Sequence, residues 1–201
     1  MLYLMIIILA VIIGLLRGGE LEKISHISIE GVYFFVAALL LRGLVWILGI
    51  LDFSILLRYS SFFIIFSYFL LIFASIRNIK LPGFRCVTLG VLLNSFVILL
   101  NGGKMPVLIN QQIAQNMGKT ALPGQEQNLV HTLMGNKTLF AFLGDVIPLP
   151  GPFPDNSILS VGDIMILIGL FVFIQNTMMK EDMLKQDNEE IVNKIEEGIS
   201  L

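Results

Sequence analysis

The chain has 201 residues, of which 56% are hydrophobic and only 14% charged, with a mean hydropathy of +0.85. A soluble domain holds about 45–50% apolar residues, so the composition points to an integral membrane protein. The net charge of -2, with no cluster of Lys or Arg interleaved with aromatics, excludes a nucleic-acid partner.

A helix that crosses the roughly 30 Å of bilayer hydrocarbon needs about 20 apolar residues. The first apolar stretch, Met1 to Leu16, has no positive n-region and no small-residue cleavage pattern before Arg17. It therefore reads as an uncleaved, short first span. Ile29 to Leu51, Tyr59 to Ile76, Phe84 to Leu100 and Ser157 to Met179 supply four more spans. The sole cysteine, Cys86, lies in the fourth, so neither an intrachain disulfide nor a cysteine metal site is available. The fold class expected is all-α: a polytopic bundle of five transmembrane helices.

Arg42 stands near the middle of the second span. Insertion scales charge about 2.5 to 3.5 kcal/mol for arginine there. Its two readings are snorkelling outward past Trp46 and pairing with an aspartate. In the fourth span, Asn94 is placed to hydrogen-bond across helices. That span ends at Asn101-Gly102-Gly103-Lys104-Met105-Pro106, a stop in which glycine follows the last turn, Lys104 faces the negative helix end and proline lies beyond.

The connection from Asn101 to Thr138 carries Ile109, Ile113 and Met117, then Leu129, Val130, Leu133 and Met134, at helical spacing. This predicts short amphipathic helices on the bilayer. Leu139 to Leu149 is apolar but would cover only about 16 Å as a helix, so an interfacial or re-entrant segment is expected. Pro148, Pro150, Pro152 and Pro154 then predict a stiff extended loop without helix or strand pairing. His26 and His131 stand alone in the sequence, and ligand spacing supports neither a metal site nor a cofactor.

Orientation follows from the basic residues. With five spans, Arg17, Lys23, Arg77, Lys80, Arg85, Lys180, Lys185 and Lys194 share one side, and Arg58, Lys104, Lys119 and Lys137 share the other. The bias predicts a cytoplasmic C-terminus and an outside N-terminus. Residues 1–179 then form the transmembrane domain, with an extracytoplasmic loop over 101–156. Residues 180–201 form an acidic tail with 3 basic and 7 acidic residues. Its stripe of Leu184, Ile191, Ile195 and Ile199 reads either as a solvated helix or as a docking face for a cytoplasmic protein partner.

Two aspartates flank the proline segment on the outer side. Asp163, in Ser160-Val161-Gly162-Asp163, suits the first turn of the last helix, with Ser160 as its cap. Asp145 lies in the apolar run Phe140 to Ile147, where a carboxylate needs donors or a charge partner. Brought together, two carboxylates separate in pKa, leaving one protonated and one ionised, as acid–base activation of water requires.

Asn101-Gly102-Gly103-Lys104-Met105-Pro106-Val107, Leu143-Gly144-Asp145-Val146-Ile147-Pro148 and Leu159-Ser160-Val161-Gly162-Asp163, with Leu93-Asn94-Ser95, together resemble a family of bacterial polytopic membrane proteins of unknown function. The resemblance implies a bacterial inner membrane and about five helices, and no activity. The order of Asp145, a short outer loop and Asp163 at the start of the last helix also resembles lipoprotein signal peptidase, an intramembrane aspartyl peptidase. The lead-in motif of that family is absent. The expected site is a catalytic pair, Asp145 and Asp163, with Arg42, Asn94, Asn101 and Lys104 as binding residues and a membrane-embedded peptide or lipid as substrate. The rival reading is a non-enzymatic scaffold or small transporter subunit in the lipid bilayer.

Overall fold

The structure is a computed structural model that describes residues 2–51, 58–108, 130–149 and 158–179. The helices are α1 (Leu2–Leu16), a single turn α2 (Glu22–Ser25), α3 (Val32–Ile50), α4 (Ser60–Arg77), α5 (Phe84–Leu100) and α6 (Val161–Met179). Three of them, α3, α4 and α6, are long and apolar enough to cross a membrane. α1 and α5 are apolar but shorter, at 15 and 17 residues, or about 22 and 26 Å. Large apolar side chains such as Leu39, Leu40, Phe62 and Phe69 lie on the outside of the bundle. That inverted pattern suits a hydrocarbon solvent and would be an aggregation hazard in water.

α3 packs on α4, α4 on α5, α5 on α6, and α6 on α1. α1 runs parallel to α6: Tyr3 meets Asp163 at one end, and Gly14 lies against Met178 at the other. α5 and α6 run antiparallel and approach through glycine. Gly83 faces Gly169 and Gly90 faces Gly162, so both steps along the two helices are seven residues. A Cβ at Gly169 would lie 2.7 Å from the Gly83 carbonyl oxygen, and one at Gly162 would lie 2.7 Å from that of Gly90. Small residues are what allow helix backbones to meet so closely. One core cluster joins α3, α4 and α5 through Val45, Ile64, Tyr68, Val87, Val91, Val97 and Ile98 and extends to Met105. A second joins α1, α5 and α6 through Ala10, Phe84, Phe173, Ile174 and Met178.

The end of the bundle bearing Leu100 and Val161 carries a cap of short strands: β1 (Met105–Val107), β2 (His131–Leu133), β3 (Ile147–Pro148) and β4 (Ile158–Leu159). β1 pairs in parallel with β2 on one edge and bridges Asp145 on the other, while β3 pairs antiparallel with β4. The 3-10 turn Ala141–Leu143 connects into this cap. The stop after α5 has the expected form: the Gly103 amide donates to the Ile98 carbonyl, and Gly102 and Gly103 have φ of 71° and 84°.

Two expectations are corrected here, the amphipathic helix at 130–134 and the exclusion of Pro148 from strand pairing. Val130, Leu133 and Met134 do not belong to an amphipathic helix: His131–Leu133 is a strand, because β1 offers its free edge and outweighs helical spacing. Residues 139–149 form a turn and an extended segment. Pro148 does take part in strand pairing, opposite Ile158, and Pro106 lies inside β1. A proline lacks an N–H but keeps its carbonyl, and the Pro106 carbonyl accepts from the Asp145 amide at 2.8 Å. Ile109, Ile113, Met117, Leu129, Pro150, Pro152, Pro154 and the acidic tail lie outside the described residues.

Candidate functional site

Each of the five long helices contributes one polar side chain to a cluster beneath the cap: Tyr3 from α1, Arg42 from α3, Tyr68 from α4, Asn94 from α5 and Asp163 from α6. The cap adds Asp145 and His131.

Asp163 is held by local chemistry and by its neighbours. The Ser160 hydroxyl accepts from the Asp163 amide at 2.9 Å, and the Ser160 amide donates back to Asp163 Oδ2 at 3.1 Å. This reciprocal capping box sets the first turn of α6. Asp163 Oδ1 accepts from the Tyr3 hydroxyl at 2.7 Å and from Asn94 Nδ2 at 2.9 Å. The Ser160 hydroxyl in turn donates to Asn94 Oδ1 at 2.8 Å. Gly162 makes room for this arrangement, since a Cβ there would strike the Asn94 amide. The expected bond of Asn94 across helices is thus made, with Asp163 as its acceptor.

Asp145 is placed by backbone bonding on both sides. Its amide donates to the Pro106 carbonyl, and its carbonyl accepts from the Leu108 amide at 2.9 Å. The antiparallel register pairs Ile147 with Leu159. The Asp145 side chain is 8% exposed, and its Oδ2 lies 3.5 Å from His131 Nε2. Burial, and then the charge of Asp163, push the Asp145 carboxyl up to about 7. His131 keeps its outer edge open, with 45% of its side chain exposed. Burial of the inner edge lowers its pKa, with Asp163 raising it and Arg42 lowering it. Each shift favours the neutral form of its group.

Arg42 forms no ion pair with Asp145 or Asp163. Its guanidinium stacks over the Tyr68 ring, 4.4 Å from the centroid. No carboxylate among the described residues forms an ion pair with it. Asn101 is a tether: its Nδ2 donates to the carbonyls of Val97 and Leu139, and its Oδ1 accepts from the Leu139 amide. Lys104 is half-buried between the helix stop and β1. Of the residues expected from sequence, Asn94 bonds Asp163, Asp145 meets His131, Arg42 stacks on Tyr68 and Asn101 ties the end of α5 to Leu139. His131 is not alone, as its spacing suggested, and Tyr3 and Tyr68 were not foreseen. Among the described residues, no group of three metal-ligating side chains converges.

A family model matches residues 26–175. The chain belongs to DUF5317, a family of unknown function. A Thermotoga maritima protein named "Uncharacterized protein" is 28% identical over 168 residues, which are 84% of this chain and 87% of its own length. No solved structure matches. The DUF5317 region contains Arg42, Tyr68, Asn94, His131, Asp145 and Asp163, whereas α1 and Tyr3 lie before it.

Proposed function

We propose that the chain is a five-span bacterial inner-membrane protein, with its N-terminus and strand cap outside, whose polar cluster is an acid–base site for hydrolysis of a bond in a membrane-embedded substrate. The observation that carries the reading is Asp145, buried, with a carboxyl near 7, beside His131 and within reach of the Asp163 charge. An Asp145 that is ionised about half the time at neutral pH takes a proton from attacking water. The same residue or His131 then returns a proton to the leaving group. Asp163 is the fixed charge of the site, since its oxygens are already engaged by Tyr3, Asn94 and Ser160. The division of basic residues between the two ends of the bundle supports the orientation.

The test is turnover by the purified full chain in liposomes, offered lipid-anchored peptides, glycerolipids and lipid phosphate esters. Asp145→Asn should abolish turnover, and His131→Gln should lower it and flatten its pH profile. Turnover that survives Asp145→Asn, or none with any class, would overturn the reading in favour of a non-enzymatic scaffold or transporter subunit.

A further inference from the structure

The five long helices make an open row whose two ends, α1 and α3, pack only slightly on each other. Arg42, on α3, is a half-buried cation within an apolar helix. Its one partner among the described residues is Tyr68, which covers a single face of the guanidinium. A guanidinium has five N–H donors in a planar fork that matches two oxygens of a phosphate. Asp163 is bonded to Tyr3, Asn94 and the Ser160 amide, and no ion pair joins it to Arg42. A charge in a membrane helix normally has a counter-ion, and no protein group described here supplies one.

Resting on the acid–base reading above, we propose that the substrate class is a lipid carrying an anionic phosphate, seated on the Arg42 guanidinium and entering sideways between α1 and α3. The Tyr68 ring beneath the guanidinium belongs to the core cluster that extends to Met105 in the cap. On the face of α3 that bears Arg42, Leu39 and Trp46, at i−3 and i+4, are exposed. An acyl chain can lie along that surface, whereas a free, hydrated phosphate gains nothing from it. This selects a lipid over a soluble anion.

The experiment is native mass spectrometry of the full chain in detergent, titrated with phosphatidic acid, phosphatidylcholine or inorganic phosphate. Phosphatidic acid should bind as one copy and outcompete phosphatidylcholine. Arg42→Gln should weaken it by about tenfold or more, with Arg42→Lys intermediate, because a lysine keeps the charge and loses the fork. Binding unchanged in Arg42→Gln, or displacement of the lipid by inorganic phosphate, would overturn the proposal. In case Arg42→Gln fails to fold, a photoreactive phosphatidic acid on the native chain should label α1 and α3, and labelling that spares both also refutes it. Asp145→Asn should retain the lipid. Arg42-dependent binding without turnover would sink the hydrolase and leave the lipid site standing, whereas turnover without Arg42-dependent binding would do the reverse.

Discussion

Asp145→Asn should make the protein more stable at alkaline pH. The carboxyl rises from an ordinary 3.8 to about 7 in the folded protein, so between those values the folded state holds a proton that the unfolded state has released. Stability therefore falls as pH rises from about 4 to about 7 and is flat above that. At about 1.4 kcal/mol per pH unit, the ionised Asp145 costs about 4 kcal/mol at pH 8. Asparagine carries no charge and keeps the shape. It forfeits the His131 contact at 3.5 Å, which is worth about 1 kcal/mol, leaving a net gain of about 3 kcal/mol. His131 acts in the opposite sense: its lowered pKa adds stability as pH rises toward 6.5. The comparison is therefore made between native and variant chains, where that shared contribution largely cancels. The assay is thermal unfolding in detergent from pH 4 to 9, followed by circular dichroism. Parallel profiles, or a variant less stable than the native chain at pH 8, would refute the assignment of Asp145 as a buried, neutral-leaning carboxyl.

Asp163→Asn should lower the Asp145 pKa by removing the second cause of its rise, read as an earlier titration of the labelled carboxyl carbon by NMR; an unmoved titration would mean that the two carboxylates do not feel each other. Asn94→Leu strips Asp163 of one donor and leaves the Ser160 hydroxyl without its acceptor. It should cost about 2 kcal/mol in the same unfolding assay, and a neutral result would show that the bonds are dispensable. Gly90→Val places side-chain atoms against the Gly162 backbone and should destabilise the fold by about 1–3 kcal/mol or more, whereas Gly43→Val, at a position with open space, should not. A reporter fused after Leu201 should be active in the cytoplasm; activity confined to the outer compartment would reverse the orientation.

The helices were legible because hydrophobic runs and stops are local. Asn101-Gly102-Gly103 ends α5 by chemistry confined to one turn, and Ser160 and Asp163 start α6 in the same way. The strands were not legible, for a physical reason: two or three residues cannot show alternation, and β1 is buried at all three positions. The partners of Asp145 and Asp163 lie 14 and 160 residues away, beyond any spacing rule. Arg42 illustrates the remaining gap. Its position announced that it needed company, but the company it has, the Tyr68 ring, is a contact made only in the assembled bundle.

The placing of α1 against α6 bears on how the chain is made. α1 is made before its main packing partner, α6, so it waits while the helices between them are synthesised. α5 likewise offers Gly83 and Gly90 to an empty space until Gly169 and Gly162 arrive. At roughly 5–20 residues per second, this leaves several seconds in which Asn94 waits for Asp163, its partner in the finished bundle.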